Sequence, residues 1–228
     1  ILESYQLSFR CHSDSPGRPP APTPRQIEQT NTRLEFRLTN PSFHPDAGPG
    51  RNPDVPSLMS PLSPVTTIGC TDSHKRNAAP SAGGAGPEGP HGSAFEPILV
   101  RQYLTLDNTP ESPSSYALCY SCHDRNSILA DQSFSLHNKH IVEERTPCNV
   151  CHDPHGISDI QGNSINNTHL INFDISVVFP AMGQMGGLQF TDNGRFAGSC
   201  TLNCHGRQHI NLSYPGGGGP GSGGTGGG

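Results

Sequence analysis

Apolar positions are thinly spread along this chain and constantly interrupted. Leu, Ile, Val and Phe make up 44 of 228 residues and there is no Trp, while 27 Gly and 23 Pro break up the runs. Gly and Pro end helices and interrupt ladders. The pattern therefore predicts a mostly irregular coil with short helices and few short strands. One apolar run, Ile175 to Phe179, reads as a short strand. No run reaches eighteen apolar residues, so no membrane span is predicted.

Composition makes this sparse pattern a puzzle. So little aliphatic and Phe content belongs with disorder when net charge is high, but the formal charge is only −5. A further source of apolar surface would resolve the conflict. The near-neutral charge also gives no basic footprint for nucleic acid.

The stretch Tyr116 to Gly156 supplies the missing element. It holds Cys119-Tyr-Ser-Cys122-His123 and Cys148-Asn-Val-Cys151-His152, two Cys-x-x-Cys-His motifs. That pattern attaches haem c: each thiol adds to a haem vinyl group and the adjoining His becomes the proximal iron ligand. A third motif, Cys200-Thr-Leu-Asn-Cys204-His205, has one extra residue in its loop. Paired Cys-x-x-Cys motifs also build zinc sites, but zinc has no need of a His directly after the second Cys in all three. A thioredoxin-like site would want one motif in a βαβ context, and neither condition is met. Haem supplies the apolar bulk that the side chains lack.

Both elements of the intact stretch recur upstream in damaged form. Tyr5-Gln-Leu-Ser8-Phe-Arg-Cys11-His12 parallels Tyr116 to His123, and Gly69-Cys70-Thr-Asp-Ser73-His74 parallels Pro147 to His152. Gly89-Pro-His91-Gly echoes Asp153-Pro-His155-Gly, and Ser42-Phe-His44 echoes Ser133-Phe134 with His137. The chain thus divides into a degenerate doubled-motif unit (1–105), an intact dihaem unit (106–160), a C-terminal haem unit (161–214) and a Gly-rich tail (215–228), the first three forming one compact haem domain.

Twelve histidines exceed what the motifs use, and only three Met are present, so bis-His ligation is favoured over His/Met. Proximal ligands are His123, His152 and His205, with His12 and His74 as further candidates. Distal candidates are His155, His169, His209, His140, His137, His44 and His91. His155 and His209 follow a proximal His too closely to reach the opposite face of the same haem, so they should serve neighbouring haems. His137 and His140 compete for the sites left. The lone thiols Cys11 and Cys70 leave two readings open. Either each forms a single thioether, giving five haems, or both sites are empty and the two cysteines join as a disulfide. Three haems with the bridge is the preferred expectation.

These motifs resemble the multihaem c-type cytochromes of metal-reducing bacteria, at Leu118–Asp124, Cys148–Gly156, His169–Phe173 and Ser199–Gly206. Ser42–Pro45 and Gly89–Ser93 resemble that family's distal-ligand segments. The resemblance implies an exported protein, extracellular or at the cell surface or else periplasmic, because haem is attached outside the cytoplasm. The chain starts at Ile1 rather than Met, which reads as trimming on export. Some relatives polymerise into extracellular filaments of stacked haems, so a homo-oligomer or helical filament is expected, trading electrons with donor and acceptor proteins or minerals. The implied role is electron carrier rather than catalyst. The rivals are a multihaem reductase with an open iron and a structural filament protein whose haem chain is partly lost.

Overall fold

The computed structural model describes residues 4–13, 21–90 and 92–214. His91 and the glycine-rich tail, both given roles by the sequence, lie outside the described residues. Helices are short, as the Gly and Pro content demands. The longest, α1 (Ser4–His12), has nine residues, and α2 (Thr32–Glu35), α3 (Cys70–Ser73), α4 (Arg125–Leu129) and α5 (Cys148–Cys151) have four or five. Helices this short do not repay nucleation by themselves. Side-chain caps help: Asn31 accepts from the Arg33 N–H at 3.1 Å and Asp124 from the Asn126 N–H at 2.8 Å. No helix among the described residues is long and apolar enough to cross a membrane.

Six strands are described, the longest of eight residues. A two-residue ladder joins β1 (Ser42–Phe43) to β2 (Gly156–Ile157). A four-stranded antiparallel sheet is built from β3 (Val178–Phe179), β4 (Gln189–Asp192), β5 (Gly198–Cys204) and β6 (Arg207–Tyr214). β5 is its spine, with β6 along one edge and β3 and β4 end to end along the other. The strand expected over Ile175–Phe179 contracts to its last two residues. Asp174 Oδ1 accepts from both the N–H (2.9 Å) and the hydroxyl (2.6 Å) of Ser176, turning the first part of that run.

The main apolar cluster lies between α5 and this sheet. It includes Val150, Ile171, Phe173, Val178, Phe190 and Leu202, with Phe134 and Leu136 packed on it. Elsewhere the chain is held by polar clamps. Asn172 Nδ2 donates to the Ile27 carbonyl (2.9 Å) and Asp153 (3.0 Å), and its Oδ1 accepts from the Ile27 N–H (2.9 Å). Asn40 Nδ2 donates to the Leu34 and Glu35 carbonyls, both at 2.8 Å, fixing the end of α2. Arg25, buried, donates to the Asn149 carbonyl in α5 and to the Asn172 carbonyl (2.8 Å), and lies 3.8 Å from Asp153.

Removing one partner of a buried charged network leaves the others uncompensated and costs about 3–5 kcal/mol. Arg25→Met should lower stability by that order. Arg37→Met removes an exposed 3.2 Å pair with Asp159 and should cost at most about 1 kcal/mol. Urea midpoints of the two variants measure the contrast; equal midpoints would contradict the clamp role of Arg25.

Candidate functional site

One continuous cavity of about 2410 Å³ runs through the protein. It exceeds the ~300–1,000 Å³ of an ordinary small-molecule site. All eight cysteines and all eleven described histidines line it, and none of the three Met does. The motifs found in sequence therefore converge on one space.

Three motifs share a local build. In the segments starting at Cys70, Cys119 and Cys148, the first Cys carbonyl accepts from the His N–H four residues on, at 2.8, 3.0 and 2.9 Å. Each turn thereby sets the motif His at its end. Each of these histidines then makes an isolated antiparallel bridge: His74 with Leu99, His123 with Leu58, His152 with Ile171. The damaged Cys70 motif thus keeps the backbone of the intact ones. Ser8 and Cys11 sit on α1.

The third motif is built differently. Cys200 and Cys204 lie on β5, and His205 with Gly206 forms the two-residue turn into β6. Both turn residues are left-handed, with φ of +49° and +75°, as a tight hairpin turn requires. Cys151 packs against the cluster that contains Cys200, with Cys204 beside it, so the third motif abuts the second. His205 Nε2 donates to the Asp107 carboxylate at 3.0 and 3.1 Å.

Three pairs of the cavity-lining histidines stand close together. His44 faces His123 with ring centroids 6.5 Å apart, His137 faces His152 at 6.4 Å, and His74 faces His155 at 6.1 Å. Two imidazoles on opposite sides of one metal, each bound about 2.0 Å away through Nε2, would have centroids roughly 6–6.5 Å apart. All three pairs meet that separation.

Ring orientation agrees. Nδ1 of His44 donates to the Pro154 carbonyl, that of His152 to the His169 carbonyl (2.8 Å) and that of His155 to Glu35 Oε2 (3.0 Å). Ser57 Oγ lies 3.0 Å from His123 Nδ1. A metal-binding His commonly engages its second nitrogen in this way, which fixes the tautomer and leaves Nε2 as the donor. His137 Nδ1 is buried without a partner. Electrostatics keeps most of these rings neutral. Burial pushes His123 and His152 down to about 4 and His137 to about 3, and lowers His44 and His74 as well. For His155 burial is the largest single influence and opposes the charge, but the Glu35 bond together with the charges of Glu35 and Asp153 outweighs it, and the net shift is upward. Glu35, Asp153 and His155 offer ligand atoms within 4.8 Å of one another. Glu35 bonds His155 and Asp153 accepts from Asn172, so the cluster serves to support the imidazole.

The pairing sorts the sequence candidates. His155 faces His74 and not its neighbour His152, in line with the short spacing. His137 takes the position opposite His152, while His140 donates from Nδ1 to the Leu136 carbonyl (2.8 Å) and stands edge-on to Tyr214. His209 lies near His140 with Nδ1 buried and unpartnered. For His169, Asn52 Nδ2 lies 3.0 Å from Nδ1 and Asp192 Oδ2 lies 3.5 Å from Nε2, and its backbone carbonyl accepts from His152 Nδ1. The parallel between His44 and His137 also breaks, since His44 faces His123 across the repeat.

The expected Cys11–Cys70 disulfide is not formed; all eight cysteines are thiols. Ser8, one helical turn before Cys11, is the residue that bonds Cys70, whose Sγ also donates to Asp46 Oδ2 at 3.0 Å. In the intact copy the equivalent positions, Cys119 and Cys148, bond each other. Sequence reasoning missed Glu35, Ser57 and Asp46. Their only signal was that each is a buried polar residue far along the chain from its partner, which spacing does not reveal.

The chain matches no protein-family model, no curated protein and no solved structure. Motif and geometry therefore carry the functional argument.

In the cofactor-free chain these neutral histidines set a pH dependence. Unfolded His titrates near 6.5, whereas His123, His152 and His137 resist protonation down to about 4, 4 and 3. The unfolded state takes up protons first, so stability present above pH 6.5 is lost as pH falls towards 4. Each group contributes up to about 1.4 kcal/mol per pH unit. His155 acts oppositely, its contribution fading as pH rises through its raised pKa, but it is outnumbered. Urea unfolding of the haem-free protein should show a loss of at least about 2 kcal/mol between pH 6.5 and 5. A flat midpoint over that range would count against buried neutral imidazoles.

Proposed function

We propose that this protein is a multihaem c-type cytochrome that transfers electrons. The observation that carries the reading is the set of three facing histidine pairs, 6.1–6.5 Å apart, on one cavity that every cysteine also lines. Haem supplies the reversible iron redox couple. The chain's residues do the rest. Cys119 and Cys122, then Cys148 and Cys151, offer thiols for thioethers. His123 with His44, and His152 with His137, would hold the iron through their imidazole nitrogens. Ser57, Pro154 and His169 hold those rings in register.

The pairs are contiguous. His44 feels the charge of His155, and His152 feels that of His44 and lies close enough to His123 to depress it. Such contiguity suits electron passage from site to site. Were haem held by both histidines of a pair, no iron position would stay open there, which favours an electron carrier over a reductase. The third motif adds the thiols of Cys200 and Cys204 beside Cys151, with its His205 Nε2 turned to Asp107. Export and assembly into a homopolymeric filament belong to the same reading and rest on the motif resemblance.

His44→Ala and His137→Ala should each convert one haem from low-spin six-coordinate to high-spin, visible by electron paramagnetic resonance and by carbon monoxide binding to the reduced protein. The total in the pyridine haemochrome assay should stay unchanged. If the unaltered protein already bound carbon monoxide stoichiometrically, the reductase would become the better reading. Sedimentation at rising concentration tests the filament: a single monomer species throughout would rule it out.

A further inference from the structure

We propose that the damaged motif at Cys70 still holds a haem, attached by one thioether from Cys70 and ligated by His74 and His155. This rests on the cytochrome reading above and extends it to a site whose second thiol is replaced by Ser73.

Four observations converge on it. First, α3 and His74 have the conformation of α5 and His152: a four-residue helical turn, an N–H to carbonyl bond of 2.8 against 2.9 Å from His to the first Cys, and an extended His in a bridge. A motif with no ligand to present would have no need of that shape. Second, His74 and His155 stand 6.1 Å apart, close to the 6.4 and 6.5 Å of the pairs at intact motifs. Third, His155 is anchored in that pose. Its Nδ1 donates to Glu35 at 3.0 Å, and the Glu35 carbonyl is itself held by Asn40. Gly156 makes the approach possible, since a Cβ there would lie 2.2 Å from the Glu35 carbonyl oxygen. Fourth, the Cys70 thiol lines the same cavity, takes part in no disulfide, and is aimed by its bond to Asp46. The position facing it is Ser8, where the intact copy has a cysteine, so the contact between the two motifs of the unit survives the substitution.

The chemistry balances without any further reactant. The Cys70 S–H adds across one vinyl group: a carbon–sulfur bond forms, the thiol hydrogen goes to the other vinyl carbon, and no electrons are gained or lost. Ser73 adds to nothing, so the second vinyl group stays intact.

Trypsin separates the motifs, because each falls between different Lys or Arg residues: 52–75 holds Cys70, 102–125 holds Cys119 and Cys122, and 146–195 holds Cys148 and Cys151. Mass spectrometry of a digest of the full chain, produced with a c-type maturation system, should find haem on all three peptides. The reduced pyridine haemochrome should carry a red-shifted component from the haem that keeps one vinyl group. Cys70→Ser should remove covalent haem from 52–75 and make one haem extractable by acidified solvent. His155→Ala should leave the thioether and turn one haem high-spin. Haem on 102–125 and 146–195 with none on 52–75 would overturn the proposal, as would a Cys11–Cys70 disulfide in the haem-loaded protein. Absence of haem from 102–125 and 146–195 would instead overturn the cytochrome reading itself.

Discussion

The short ladder between β1 and β2 is the constraint on which the ligand geometry depends. Phe43 pairs with Gly156, and the next step along is His44, whose N–H donates to the His155 carbonyl at 2.9 Å. Two histidines from distant parts of the chain are thereby set side by side. Their ring partners differ, His123 for one and His74 for the other. Gly156 is the tightest point. A Cβ there would meet the Glu35 carbonyl oxygen at 2.2 Å and Phe43 Cβ at 2.8 Å, so only glycine lets α2, β1 and β2 close together.

The consequence is an exchange between the two copies of the repeat. His44, from the damaged copy, faces the motif His of the intact one; His155, from the intact copy, faces the motif His of the damaged one. Neither of these two pairs is completed by one copy alone, whereas His137 and His152 both come from the intact copy. This gives a physical reason for the damaged half to persist. Deleting it would remove His44 from His123 and, through Arg25 and the segment around Ile27, the polar clamps on α5 and Asn172. The loss of two thiols leaves those roles untouched.

What was legible in the sequence follows from this arrangement. Motif cysteines and proximal histidines are local patterns, and three of the motifs have one local shape. The distal partners are set by a two-residue ladder, by carbonyls such as Pro154 and His169, and by Glu35 some 120 residues from His155. None of that is encoded in spacing. His137 precedes His140 by less than one helical turn, and the contacts that separate them, Phe134 on His137 and the Leu136 carbonyl with Tyr214 on His140, come from packing. The C-terminal hairpin was the readable feature that was missed. Cys200, Leu202 and Cys204 alternate with Ser199, Thr201 and Asn203, a period of two that belongs to a strand. The haem motif drew attention from that pattern, and His205-Gly206 supplies the left-handed turn that completes it.

The thin core bears on how much a lost thiol matters. Among the described residues, buried polar side chains are as many as buried apolar ones, and the one compact apolar cluster sits beside α5 and the sheet. In a chain built this way, whatever binds the folded state tightly stabilises it by mass action. In the cytochrome proposed above, thioether bonds would contribute retention, turning dissociation into an intramolecular event with a high effective concentration. One tether would be enough for that, with histidine nitrogens and apolar burial supplying the binding itself. The residues such a site would need most are therefore the facing histidines and the walls that place them. Both are present at Cys70, where on that reading Ser73 would remove only the second of two links.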